Sequence, residues 1–254
     1  RKARINSKEK SRTLIELFHY SWPIIFLSLI GVLFYWIDSF VIGYFKSAAD
    51  VGFYNAAFSI VSLFGIAPEL FMQLFFPLIV REYSNKNLAL ILETSKQVAK
   101  WIYLLNLPVF IIIFLFPGAI INILFGSQYL VAESALRILS IGAFFSSLIA
   151  LWSNLLSMEG KSKILLLNVL VASLINLFLN ILLVPRYGLI GAATATSFVW
   201  IMLSITVLIE VKRYTSIVPL RRKMLRISIV SIIPTILLII VKQYLVVNLL
   251  NMII

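Results

Sequence analysis

Polar side chains are rare within the long apolar segments of this chain, and those few are the candidates for chemistry. The carboxylates Asp38 and Glu69 stand inside such segments, and Gln73 follows Glu69 by about one helical turn. An ionised carboxylate near the centre of a bilayer costs about 2.5–3.5 kcal/mol, so each needs a partner or a wet cavity. In a wet cavity such a carboxylate can bind a cation or a proton. If Glu69 and Gln73 face the same cavity, they form one polar stripe.

Both carboxylates also have a purely structural interpretation. Asp38 stands near the outer end of its segment, where it can hydrate, cap a loop, or pair with Lys46 or Arg137. Glu69 follows Pro68, and a proline frees a backbone carbonyl and lets a helix bend. Glu69 can therefore be either a carboxylate that responds to cations or protons, or a hydrogen-bonded acid between helices.

Arg137 is a candidate phosphate contact, because a guanidinium group can bind phosphate through two parallel hydrogen bonds. Glu133 precedes it by four residues, which is the favourable order for an ion pair on a helix. The sequence favours this pair over a substrate contact. Five asparagines in the apolar segments are best interpreted as hydrogen-bonding groups between helices: Asn106, Asn154, Asn168, Asn176 and Asn180.

Other classes of site are not expected. The chain has no cysteine, which excludes disulfides and thiolate metal sites, and its one histidine, His19, cannot form a histidine-clustered metal centre. We therefore predict no catalytic residue, no bound metal and no cofactor. The protein is expected not to be an enzyme.

The elements that position these residues are membrane helices. The chain is 61% hydrophobic and only 13% charged, too little polar surface for a soluble domain of 254 residues. Seven apolar segments are each near the ~20 residues that cross a bilayer as a helix. The predicted fold is an all-α, polytopic membrane bundle with helices at residues 18–44, 52–80, 100–124, 134–158, 164–184, 188–210 and 226–246.

The chain has a net charge of +12, and the distribution of its basic residues indicates the membrane topology. The basic residues form short clusters between apolar runs and no continuous stripe, so a nucleic-acid partner is not expected. Eighteen of the 22 basic residues fall in alternate loops, within residues 1–12, 81–100, 161–163 and 212–226. Cytoplasmic loops accumulate Lys and Arg, which predicts a cytoplasmic N-terminus and a multi-pass protein of the cell membrane.

One stretch has a very particular composition. Asn176-Leu-Phe-Leu-Asn180 precedes Leu183-Val-Pro-Arg-Tyr-Gly-Leu-Ile-Gly-Ala-Ala. Pro185 cannot continue a helix, and Gly188 and Gly191 allow two backbones to approach closely. This stretch resembles the turn in the C-terminal half of the polysaccharide and O-antigen flippases. On spacing alone it is a tight helical hairpin.

Further motifs extend the resemblance in order across residues 20–200. They are Ser21-Trp-Pro23, Trp36-Ile-Asp38-Ser-Phe-Val-Ile-Gly43, Val51-Gly52-Phe-Tyr54, Phe75-Phe-Pro77, Leu124-Phe-Gly126-Ser-Gln-Tyr129 and Glu159-Gly160-Lys161. The resemblance implies the multidrug/oligosaccharidyl-lipid/polysaccharide exporter superfamily, whose two lobes alternate access between the membrane faces. This chain would be the C-terminal lobe.

The resemblance implies the domain organisation and the partners. We expect a basic cytoplasmic linker at residues 1–17, a six-helix lobe at 18–210, and a basic loop with one or two extra helices at 211–254. The expected partners are a lipid-linked oligosaccharide, the missing N-terminal lobe of the same polypeptide, and membrane lipids.

Three function classes stay open. Flipping of a polyprenyl-(pyro)phosphate-linked oligosaccharide for polysaccharide or surface-glycan biosynthesis is favoured by the order of the motifs. A cation-coupled multidrug antiporter of the same superfamily is the alternative that Asp38 and Glu69 keep open. A membrane-embedded glycan polymerase or ligase fits less well, because such enzymes need a substantial outer loop and the outer loops here are short.

Overall fold

The computed structural model describes residues 7–215, residues 227, 229 and 231, and residues 234–240. Within these residues the fold is helical and contains no strand, which confirms the all-α class. The α-helices of residues 7–215 are α1 Ser7–Phe45, α2 Ala48–Val61, α3 Ile66–Ser84, α4 Leu88–Leu115, α5 Pro117–Phe125, α6 Glu133–Ser146, α7 Ile149–Met158 and α8 Ser162–Thr215.

Four helical stretches of this part of the chain are long and apolar enough to cross a membrane. They cover Ala48–Ser84, Leu88–Leu115, Ser127–Met158 and Ser162–Thr215, and a shorter apolar helix covers Leu29–Phe45. The predicted span 52–80 contains a short 3-10 helix, Ser62–Gly65, where α2 gives way to α3. The predicted span 134–158 is divided in the same way between α6 and α7. Each break lies inside a single apolar stretch.

The predicted helix 100–124 has different bounds. Its first part belongs to α4, which already begins at Leu88, and buried Ile91 and Val98 pack this early part against the bundle. Residues 88–100 therefore belong to α4, which starts earlier than the predicted helix 100–124. The helix ends at Phe116, whose backbone (φ −124°, ψ 43°) is not helical, and Pro117 begins α5. Proline has no N–H to donate, so it favours this first position of a helix.

Helix α8 is a hairpin of two arms. Its 54 residues include one non-helical position, Gly188 (φ 55°, ψ −130°), which separates residues 162–187 from residues 189–215. Asn176 of the first arm donates a hydrogen bond to Thr196 of the second, and Asn168 donates one to Glu210. The arms therefore run antiparallel, in agreement with the two predicted spans at 164–184 and 188–210.

The two arms of α8 form the centre of the bundle, packed against α1, α6 and α7. The apolar core has two parts. One contains Ile42, Leu136 and Leu139, and the other contains Leu151 and Val199. Many large apolar side chains remain exposed on the outside, as expected where lipid replaces water as the solvent. The predicted seventh helix, 226–246, lies mostly outside the described residues, although 234–240 are helical.

Candidate functional site

Asp38 is enclosed by protein, with a side-chain exposure of 3%. One carboxylate oxygen accepts hydrogen bonds from the Tyr54 hydroxyl and from the Thr196 hydroxyl, the latter at 2.6 Å. The other accepts from the Asn180 amide at 2.7 Å. These donors come from α2 and from both arms of α8. One carboxylate on α1 thus joins three segments that are distant in sequence.

Asn176 completes this group of side chains, which we call the Asp38 cluster: Asp38, Tyr54, Asn176, Asn180 and Thr196. The Asn176 amide donates to Thr196 at 3.0 Å, and the Asn180 amide lies 3.2 Å from the Asn176 side-chain oxygen. The two asparagines share one helix face, as their spacing predicted. The side-chain oxygen of Asn180 is buried without a hydrogen-bond partner among the described residues.

The partners proposed for Asp38 from the sequence are wrong. Lys46 donates instead to the carbonyl of Pro185 at 3.1 Å, beside the turn of the α8 hairpin. Arg137 forms an ion pair with Glu133 at 2.9 Å, as the favoured interpretation of that spacing predicted. Asp38 is also too enclosed to hydrate at the outer interface. Neutral hydroxyl and amide donors replace water and cations around this carboxylate.

The bundle also contains an open cavity of about 710 Å³, which we call the Glu69 cavity. Glu69 and Gln73 both line it, and so does Asn154 of α7. No described residue donates a hydrogen bond or forms an ion pair with the Glu69 side chain. No Lys or Arg is among the described residues that line the cavity. Glu69 is therefore an uncompensated negative charge on an accessible wall.

Aromatic rings form another part of this wall. Tyr35, Phe58 and Trp200 line the cavity, and their rings follow one another at centroid distances of 5.0 Å and 5.8 Å. Phe58 also packs against Tyr54 at 6.1 Å, and Tyr54 donates to Asp38. The cavity and the Asp38 cluster thus share a continuous contact. The sequence placed Tyr54 in a family motif but did not predict that Tyr54 or Thr196 contacts Asp38, or that these rings line a cavity, because no local spacing relates them to Asp38 or Glu69.

The glycines of the turn motif have two different roles. A side-chain carbon on Gly191 would lie 2.6 Å from the carbonyl oxygen of Leu183, so Gly191 permits the close approach that the sequence predicted. Gly188 has no such neighbour; the nearest atom would be a Lys46 carbon at 3.8 Å. Its positive φ of 55° is what requires glycine there, because other residues rarely adopt that conformation. The prediction that a helix cannot continue at Pro185 is wrong: Pro185 lies inside the first arm, which continues to residue 187, because proline keeps a helical φ and near the helix end forgoes one N–H hydrogen bond.

Long apolar helices, one buried carboxylate with polar partners and an open cavity with polar side chains on its wall define the class, a polytopic helical membrane protein. Comparison with known proteins gives the family. The chain belongs to the polysaccharide biosynthesis protein family, whose model matches residues 2–134. No solved structure matches the chain significantly.

Three curated relatives carry further information. The chain is 30% identical over 197 residues to an uncharacterized membrane protein of Methanocaldococcus jannaschii, covering 76% of this chain and 39% of that protein. It is 28% identical to a Haloferax volcanii protein with the provisional name of low-salt glycan biosynthesis flippase, covering 72% of this chain and 39% of the relative. It is 29% identical to a Shigella flexneri protein with the provisional name of O-antigen transporter, covering 73% and 44%. The chain therefore spans about two fifths of the length of these relatives.

Proposed function

We propose that this chain is one lobe of a flippase that moves polyprenyl-(pyro)phosphate-linked oligosaccharide across the cell membrane for polysaccharide or surface-glycan biosynthesis. One observation of the structure carries the proposal: the open Glu69 cavity brings polar side chains and aromatic rings together on one accessible wall of the bundle. A polar glycan requires such a path, whereas its lipid tail can stay in the bilayer. The names of two relatives support the same substrate class.

The mechanism we propose is alternating access without covalent chemistry. The cavity would lie between this lobe and an N-terminal lobe of the same polypeptide, and rocking of the two lobes would expose it to each membrane face in turn. The greater length of the relatives supports this arrangement. In it, residues 1–17 form a cytoplasmic linker, residues 18–210 the lobe, and residues 211–254 a loop with further helices.

Reconstitution tests the function directly. The complete gene product, placed in vesicles that contain a fluorescent polyprenyl-diphosphate oligosaccharide, is expected to expose the inner-leaflet glycan to an external glycosidase. The 254-residue segment in matched vesicles is expected to expose no inner-leaflet glycan, because alternating access requires both lobes. Equal glycan exposure in protein-free vesicles and in vesicles with the complete protein would remove the proposal.

The Asp38 cluster favours a second candidate function, a cation-coupled multidrug antiporter. A buried carboxylate without a cationic partner among the described residues, next to an unpartnered Asn180 oxygen, is a candidate coupling site for a proton or a small cation. In an antiporter, Asp38→Asn abolishes the dependence of drug efflux on the ion gradient. In a flippase where Asp38 is structural, the same change lowers stability and leaves the gradient response intact.

Orientation is open to a direct test. The chain has no cysteine, so single cysteines can be introduced without background. From the charge asymmetry we expect cysteines at Ser47, Ser127 and Tyr187 to react with an impermeant thiol reagent added outside intact cells. A cysteine at Ser162 is expected to react only after permeabilisation. Labelling of Ser162 alone in intact cells would reverse the proposed topology.

A further inference from the structure

Several polar groups on the wall of the Glu69 cavity present hydrogen-bond acceptors to a ligand. The hydroxyls of Ser62, Ser146 and Ser147 donate to backbone carbonyls of their own helical segments at 2.6, 3.0 and 2.7 Å. The Asn154 amide donates in the same way to the carbonyl of Ala150 at 2.7 Å. The three hydroxyl donors and one of the two N–H groups of Asn154 are thereby used, and the hydroxyl and amide oxygens remain as acceptors for a ligand.

Glu69 adds a further hydrogen-bond acceptor to the cavity wall. An ionised carboxylate only accepts hydrogen bonds, and Glu69 has no donor partner among the described residues. Gln73 is the cavity-lining amide whose N–H groups are not engaged by another described side chain or carbonyl. Tyr35 and Trp200 also line the cavity and each has one donor, so a ligand that fits this wall can exchange hydrogen bonds in both directions but must not place a negative charge beside Glu69.

The diphosphate group of the proposed substrate does not fit here. Phosphate oxygens accept hydrogen bonds and carry negative charge, so they face both unsatisfied acceptors and like charge on this wall. Sugar hydroxyls do fit, because each one can donate to a serine, asparagine or glutamate oxygen. The aromatic rings of Tyr35, Phe58 and Trp200 add surfaces on which the apolar face of a sugar ring can pack.

We infer that the Glu69 cavity binds the glycan portion of the substrate and that Glu69 selects against acidic sugars. The inference rests on the proposed flippase function and deepens it. Neutral and amine-bearing glycans are accepted, whereas a uronate placed beside Glu69 is rejected by charge repulsion between the two carboxylates. The diphosphate is bound outside this wall.

Matched substrates test the inference in the complete protein. A polyprenyl-diphosphate trisaccharide built from glucose is compared with three others, in which a single glucose is replaced by glucuronate at each position in turn. At one position or more we expect the wild-type protein to flip the glucuronate form roughly tenfold more slowly. Glu69→Gln is expected to abolish most of that difference, because the amide retains the shape and removes the charge.

The control is Glu82→Gln, the same substitution on the same helix, α3. Glu82 is outside the cavity and accepts a hydrogen bond from Asn87, so its charge is not expected to affect the preference. Equal flipping of all trisaccharides by the wild type, or an unchanged preference in Glu69→Gln, would overturn the inference and leave the flippase function standing. No flipping of any of these trisaccharides, together with efflux of a lipophilic organic cation, would overturn both the inference and the flippase function.

Discussion

Replacing Asp38 by alanine is expected to lower the free energy of unfolding by about 3–5 kcal/mol. Tyr54, Asn180 and Thr196 all donate to this carboxylate, and the substitution leaves the buried Tyr54 and Thr196 hydroxyls without an acceptor and removes one of the hydrogen bonds of the Asn180 amide, which still donates to Asn176. Each such group costs about 1–3 kcal/mol in water-soluble proteins, and the lower end of that range suits membrane interiors. The measurement is reversible unfolding of the complete protein in mixed micelles.

Asp50→Ala is the matched control for Asp38→Ala. Asp50 is exposed at the start of α2, where it takes part in a capping box with Ser47, so its loss is expected to cost about 1 kcal/mol. Asp38→Asn is expected to lie between the two, since its amide oxygen can still accept from part of the cluster. Losses of equal size in Asp38→Ala and Asp50→Ala would show that the cluster does not hold the helices together.

The class of fold was predictable because hydropathy and length set the number of membrane helices. The breaks inside the spans were not. Ser62–Gly65 is a 3-10 turn made of Ser, Leu, Phe and Gly, so the apolar composition continues through it and the hydropathy signal does not change. The end of α4 at Phe116 was hidden in the same way. In contrast, the turn of α8 was found because Gly188 and its neighbours have a composition that apolar helices lack.

The candidate site was predictable to the extent that its members are close in sequence. Asn176 and Asn180 share a helix face by their spacing, and the pair of Glu133 and Arg137 follows from the same rule. The true partners of Asp38 are 16 residues away in the case of Tyr54 and 158 residues away in the case of Thr196. Only the packing of α1 against α2 and α8 brings these side chains together, and no local spacing in the sequence encodes that packing.

Glu69 and Asp38 show that the position of a carboxylate along a membrane span does not determine how far its side chain is buried. Its position in the sequence predicts the deepest carboxylate of the chain, and the structure places it on an open cavity wall. Asp38 is nearer the end of its predicted span, 18–44, and yet is the enclosed one. Depth along a helix follows from the sequence, whereas enclosure depends on which helices surround that face. The largest stability effect is therefore expected at Asp38, and the effect on substrate preference is expected at Glu69.

Gly142→Ala is the other substitution with a large expected effect. Gly142 of α6 faces α8 so closely that an added side-chain carbon would lie 2.5 Å from the backbone Cα of Ser197. Backbone cannot move aside as a flexible side chain does, so the two helices must separate. Ser197 and Ser204 donate to α6 carbonyls at 2.8 and 3.0 Å, and a separation weakens both hydrogen bonds.

The expected loss for Gly142→Ala is about 3 kcal/mol, the sum of an overpacking cost of about 1–3 kcal/mol and weakened hydrogen bonds. It corresponds to a fall of roughly 6–12 °C in the apparent melting temperature. Gly52→Ala is the control, because Gly52 lies within helix α2 with no atom near enough to meet a new carbon. There alanine favours the helix by up to about 1 kcal/mol over glycine, so stability is expected to stay the same or rise.

Opposite signs at these two helical glycines would locate the α6–α8 contact as a principal support of the bundle. A wild-type melting temperature for Gly142→Ala would mean that the two helices are not held at this distance.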